Sequence, residues 1–139
     1  MRYWLFKSEP STWSWADQLA KGAAGEEWDG VRNYQARNFM REMAVGDRGF
    51  FYHSQKAREI VGIVEVVREH YPDHTDDSER FGMVDFKALG AVETPATLAD
   101  IKAEARLQDL LLVRNSRLSV VPVGLKEWKI ICAMAGVDP

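Results

Sequence analysis

RGFFYH at residues 48–53 and IVGIVEVVR at residues 60–68 are two branched and aromatic runs joined by the polar segment 54–59. Short runs of that composition, bounded by polar residues, form β-strands. In the second run only Glu65 interrupts an apolar sequence that covers both faces before Arg68. A strand buried on both faces sits in the middle of a curved sheet or barrel, not at an open edge.

Further strands follow on either side. Tyr3 to Lys7 reads as a strand with Trp4, Phe6 and Ser8 on one face and Tyr3, Leu5 and Lys7 on the other. Met83 to Ala91 and Leu118 to Val121 supply two more. Ser14 with Asp17 three residues on predicts a capped helix from Trp15 to Lys21, stopped at Gly22. Asn33 caps a second helix that ends before Gly46, with Ala36, Phe39, Met40 and Met43 inward and Tyr34, Arg37, Asn38 and Arg41 outward. Thr97 with Asp100 starts a third helix, and Leu125, Trp128, Ile131, Cys132 and Ala135 form the buried stripe of a last one. Strands and helices mixed without regular alternation predict an α+β fold built on a small β-barrel flanked by short helices.

The 139 residues suit one domain with a real core. At 46% hydrophobic and 28% charged residues, the composition is that of a soluble globular protein. Its apolar runs are too short to span a bilayer, and Lys7 and Glu9 interrupt the first one before it could be a signal core, so no membrane association and a cytoplasmic address are expected. Cys132, the one cysteine, excludes an internal disulfide and reads as core packing.

The net charge of −3 is unevenly distributed. Residues 59–139 hold nine Lys/Arg against fourteen Asp/Glu, whereas Arg32 to Arg58 holds six against two. The stretch WDGVRNYQARNFMR, from Trp28 to Arg41, lies largely in that basic region and combines the aromatic pair Trp28 and Tyr34 with asparagine and three arginines. Arginines that grip phosphate, beside aromatics and an amide that hold a flat polar ring, are the chemistry of reading a nucleobase. EHYPDHTDDSE, Glu69 to Glu79, has five acidic residues and a proline and reads as an exposed loop.

Catalytic patterns are absent. His53 and Ser54 are neighbours on a strand and point to opposite faces, which disfavours a dyad. No phosphate-cradling glycine loop or nucleophile elbow occurs. Pro72 between His70 and His74 opposes a zinc-binding helical pair, although Asp73 and Asp76 could add ligands from a loop.

YWLFKSEP, WDGVRNYQARNFMR, GDRGFFYHS, EHYPDHT, MVDF and SRLSVVPV, collinear along nearly the whole chain, together resemble the EVE-domain family. The resemblance implies a single domain over residues 1–139 with a PUA-like fold, a compact twisted β-barrel flanked by helices, related to the YTH and SRA base readers. It also implies a non-catalytic nucleic-acid-binding module that reads a modified cytosine or adenine, in DNA or RNA, single-stranded or flipped from its stack. Mapped onto this sequence, it puts Ser8, Trp28, Asn33, Tyr34, His53, Ser54 and Ser119 at the base pocket. Lys7, Arg32, Arg37, Arg41 and Arg117 take phosphates or the rim. Neither cofactor nor metal is expected. The alternatives are a nucleic-acid-processing enzyme or its targeting subunit, and a sensor of a free modified nucleoside.

Overall fold

The computed structural model describes every residue from Met1 to Pro139. In chain order the elements are β1 (Tyr3–Ser8), α1 (Trp15–Ala20), β2 (Glu26–Glu27), α2 (Tyr34–Arg41), β3 (Arg48–His53), β4 (Glu59–Pro72), β5 (Gly82–Thr97), α3 (Leu98–Ala103), α4 (Leu111–Arg114), β6 (Val120–Val123) and α5 (Leu125–Ala135). One six-stranded sheet has the order β2-β5-β4-β3-β1-β6. Only β1 and β3 run parallel, and every other neighbouring pair is antiparallel.

The two quoted runs are β3 and the first part of β4, and both lie inside the sheet. Trp4, Leu5 and Phe6 of β1 and Phe50 and Phe51 of β3 are completely buried. The hairpin of β4 and β5 changes register four times between Ile60 and Tyr71. Such irregularities bend a strand and increase its twist, so the long hairpin wraps around the core instead of lying flat. Gly62 sits where β4 passes beneath α1. A Cβ there would lie 2.3 Å from the Trp15 ring, so only glycine allows this approach.

Several boundaries differ from the sequence reading. β5 continues to Thr97, and β6 is displaced two residues toward the C-terminus from the expected strand. Being an edge strand, β6 tolerates Pro122. α2 stops at Arg41, well short of Gly46, because the Asp47 carboxylate captures the Ala44 N–H at 3.0 Å outside the helix. The segment Glu69 to Glu79 is not a loop throughout. β4 pairing persists to Pro72 opposite Gly82, and Asp73 beyond it is buried. The sequence carries only its polarity, whereas burial of Asp73 follows from the donors that converge on it from residues 30 and 32.

The helices dock as their apolar stripes require. Trp128 of α5 stacks on Tyr3 at 4.4 Å and on Phe50 at 4.1 Å between ring centres. Ser14 and Asp17 form the reciprocal cap of α1, and the Thr97 side chain caps α3. No helix is long and apolar enough to cross a membrane.

Asp47 ties the first strand to the turn before β3. Its buried carboxylate accepts from the Arg2 N–H at 3.0 Å, the Trp4 indole at 3.1 Å and the Ala44 N–H. Replacing it strands three donors at once, and a buried donor without a partner costs about 1–3 kcal/mol. Asp47→Ala is therefore expected to lower unfolding free energy by roughly 3 kcal/mol or more. Urea denaturation of the two proteins measures it.

Candidate nucleic-acid interface

A cleft of about 440 Å³ opens at the C-terminal end of β1. That volume is within the range, roughly 300–1,000 Å³, of sites that enclose small molecules or single bases. Its walls are Lys7 and Ser8 from the end of β1, Glu9, Thr12 and Trp13 from the turn that follows, and Glu26 to Asp29 from β2 and its exit.

The aromatic walls are fixed from behind. Trp28 lies 5.2 Å from Phe86 and makes edge contacts with Phe6 and Phe51, and its backbone N–H donates to the Val84 carbonyl at 2.8 Å. The Trp28 indole N–H is buried without a partner. Trp13 donates its indole N–H to the Gln18 side chain at 2.9 Å, and buried Gln18 donates in turn to the Phe86 carbonyl at 3.0 Å. Ser8, delivered to the end of the buried face, donates its hydroxyl to the Trp13 carbonyl and so fastens the turn to the strand.

Charge in the cleft is strongly one-sided. Glu9, Glu26, Glu27 and Asp29 face it with Lys7 as their only lining cation. The Lys7 ammonium donates to the Ser116 carbonyl at 3.0 Å, and burial lowers its pKa. Burial, and then the charges of Asp73 and Glu27, raise the pKa of Asp29. His74 approaches Glu27 at 2.5 Å, and that hydrogen bond raises the imidazole pKa. Glu27, Asp29 and His74 bring ligand-capable atoms within 4.8 Å of one another, so they are the residues able to hold a divalent ion. The His70 and His74 pair is not that group, since His70 lies on β4 with its ring against Gly82.

Beside the cleft, Asp73 is a clamp. Its carboxylate accepts from the Gly30 N–H at 2.8 Å, from Arg32 at 3.0 Å, and from the Thr75 N–H and hydroxyl at 2.8 and 2.6 Å. Burial works to raise the Asp73 pKa, but these donors together hold it below the ordinary carboxylate value. Beyond Arg32 lies a second cluster. Tyr34 and Phe81 have ring centres 5.0 Å apart, with the guanidinium of Arg37 4.7 Å from Tyr34 and that of Arg32 5.6 Å from Phe81.

The expected site residues thus divide. Lys7, Ser8 and Trp28 line the cleft. His53 and Ser54 stand behind it in structural bonds: His53 Nε2 accepts the Trp15 N–H at 3.0 Å, and the Ser54 hydroxyl donates to the Ser8 carbonyl at 3.2 Å. Burial lowers the His53 pKa. Ser119 offers its carbonyl to the Lys7 N–H at 2.9 Å, and exposed Arg117 follows Asn115, whose side chain caps its N–H at 3.2 Å. Asn33 caps α2 by accepting the Ala36 N–H at 2.9 Å. Tyr34, half-exposed, belongs with Arg32, Arg37 and Phe81, away from the residues that line the cleft. Trp13, Thr12 and the four carboxylates were not legible as site residues. Trp13 lies three residues beyond Pro10 of the Ser-Glu-Pro turn, and that position near the end of β1 was its only sequence signal.

The EVE domain family model matches residues 2–134. Human thymocyte nuclear protein 1 is 32% identical over 169 residues, which cover 99% of this chain and 75% of the relative. The zebrafish protein of that name is 36% identical, covering 98% and 73%. Among solved structures, an Agrobacterium tumefaciens protein is 49% identical with a TM-score of 0.95, covering 100% of this chain and 97% of its own. Human THYN1, in complex with 5-methylcytosine-containing DNA, is 31% identical with a TM-score of 0.91 and full coverage of both chains. A YTH domain at 15% identity and a TM-score of 0.61 shares the fold, in keeping with an α+β, PUA-like architecture. By family match and by relatives alike, the chain belongs to the EVE-domain family.

Proposed function

We propose that this chain is a non-catalytic module that reads a modified cytosine in DNA. The observation that carries the reading is the cleft between Trp13 and Trp28, together with likeness, over the whole of this chain, to a structure that holds 5-methylcytosine-containing DNA. A base taken from its stack enters the cleft, lies against the indoles and presents its edge to the carboxylates. Carboxylates accept from the exocyclic amino group of cytosine, so Asp29 and its neighbours favour an amino-bearing base over thymine. An apolar substituent on the ring meets the tryptophan side of the cleft.

Catalysis is not part of this reading. The imidazole nitrogen of His53 that a base would use is occupied by the Trp15 N–H, and the Ser54 hydroxyl is directed to a backbone carbonyl. Neither is disposed to activate the other.

Binding should discriminate between matched oligonucleotides with and without 5-methylcytosine, measured by fluorescence anisotropy with RNA and methyladenine oligonucleotides as further arms. Trp13→Ala is expected to weaken the methylated complex about tenfold, since stacking on one aromatic contributes roughly 1–3 kcal/mol per base. It leaves Trp28 and the core beneath it in place. Equal affinity for modified and unmodified strands contradicts the reading. A free methylated nucleoside bound as tightly as the oligonucleotide favours a small-molecule sensor instead.

The pH dependence follows from His74. A raised pKa means that its protonated pairing with Glu27 is fully present below the ordinary histidine value of 6.5 and is lost as pH rises through the raised value. Above it the cleft carries one more uncompensated negative charge. DNA affinity is therefore expected to fall as pH rises across that window, and His74→Gln should flatten the profile. His53 and His70 shift the other way, their pKa values lowered chiefly by burial, so their titration moves away from that window. Anisotropy titrations from about pH 6 to 9 measure both profiles.

A further inference from the structure

The cleft is too acidic to hold phosphates, yet a strand that places a base in it must lay its backbone somewhere close. The second cluster has the complementary chemistry. Arg37 and Arg32 contact the Tyr34 and Phe81 rings, and Arg80 reaches the Tyr34 hydroxyl at 3.5 Å. Arg41 occupies the same outward face of α2 one turn on, and its charge and that of Arg37 both act on His70 beneath them.

Arg37, Arg41 and Arg80 take part in no ion pair. In a chain of net charge −3, three unpaired guanidinium groups gathered in one place call for a partner. Three of the carboxylates around them are already engaged, and Asp77 and Glu79, beside Arg80, form no ion pair with it. Asp76 accepts the backbone N–H groups of Ser78, Arg80 and Phe81, Asp73 holds Arg32, and Glu42 pairs with Arg2. Arg37 is ordered by the Tyr34 ring, by the Arg80 carbonyl, to which it donates at 3.1 Å, and by the Asn38 side-chain oxygen, which accepts its Nε and Nη2 at 3.2 and 3.0 Å. All of these partners are neutral, so no carboxylate pairs with the three guanidinium groups, and their remaining N–H groups are available.

We propose that this arginine and aromatic ridge seats the phosphodiester backbone flanking the base held in the cleft, so that the ridge supplies affinity and the cleft supplies selectivity. The inference rests on the cleft being a base reader. Asp73 fixes the relative position of the two, because one carboxylate holds both Gly30, next to Asp29 of the cleft, and Arg32 of the ridge. Guanidinium groups suit this role by their forked donors and their tendency to stack.

The test is anisotropy with methylated and unmethylated oligonucleotides over a potassium chloride series. It compares the unaltered protein with the double variant Arg37→Gln/Arg41→Gln and with a control, Lys126→Gln/Lys129→Gln, that removes equal charge from exposed positions on α5. The ridge variant is expected to bind both oligonucleotides about tenfold or more weakly, with the slope of log affinity against log salt reduced by about two. Its ratio of methylated to unmethylated affinity should stay unchanged, and the control should keep the original slope.

An unchanged slope in the ridge variant, or an equal loss in the control, overturns the proposal. Polyglutamate that binds as tightly as DNA overturns it too, because the ridge would then suit an acidic protein. If the unaltered protein shows no methyl preference but loses slope with Arg37 and Arg41, the ridge stands and the base-reading function falls. If preference persists and slope does not change, the reverse holds. Failure to bind either DNA removes both.

Discussion

One buried carboxylate, Asp73, organises the functional side of this protein. Its side chain is fully buried, yet it receives four hydrogen bonds from Gly30, Arg32 and Thr75. A carboxylate withdrawn from water is costly unless its lone pairs are satisfied, and here both oxygens are. The bonds tie the exit of β2 to the end of β4, two segments more than forty residues apart in the chain. The sheet itself holds the approach to α2 against the long hairpin only through the two residues of β2 and the bond from Trp28 to Val84, so the Asp73 tie carries the segment beyond them.

The clamp also separates charge. On one side are the carboxylates of the cleft, and on the other the guanidinium groups around Tyr34 and Phe81. A uniformly basic surface would grip any nucleic acid through released counterions and would read nothing. An acidic cleft repels backbone phosphates while its carboxylates still accept hydrogen bonds from a base edge. On the proposed reading, a nucleotide turned with its base inward and its phosphates outward satisfies both surfaces. The overall negative charge, unusual for a nucleic-acid binder, is consistent with this division.

Much of the architecture could be read from local pattern. β3 and the apolar part of β4 were evident from branched and aromatic runs, and the caps at Ser14, Asn33 and Thr97 from their spacing. These signals are local, and the structure uses them locally. What escaped the sequence depends on contacts between distant segments: the two-residue β2, the extension of β4 to Pro72 and the burial of Asp73. The site divided in the same way. Ser8 and Trp28 line the cleft, whereas Asn33, Tyr34 and Arg32 separate from them because the chain turns at Gly30, with a φ of +80°, before α2 begins. Closeness in sequence had made one site of two. Trp13 could not be linked to Trp28 by any spacing, because Gln18 and the Phe86 carbonyl bring them together.

The five tryptophans make the central claim directly measurable, since each indole N–H gives its own signal in a nitrogen-correlated NMR spectrum. Methylated DNA should shift the signals of Trp13 and Trp28, with smaller changes for unmethylated DNA of the same sequence. Those of Trp4 and Trp128, buried away from the cleft lining, should stay in place. Shifts that leave Trp13 and Trp28 untouched, or that are identical for the two DNAs, would contradict a base-reading cleft between these indoles.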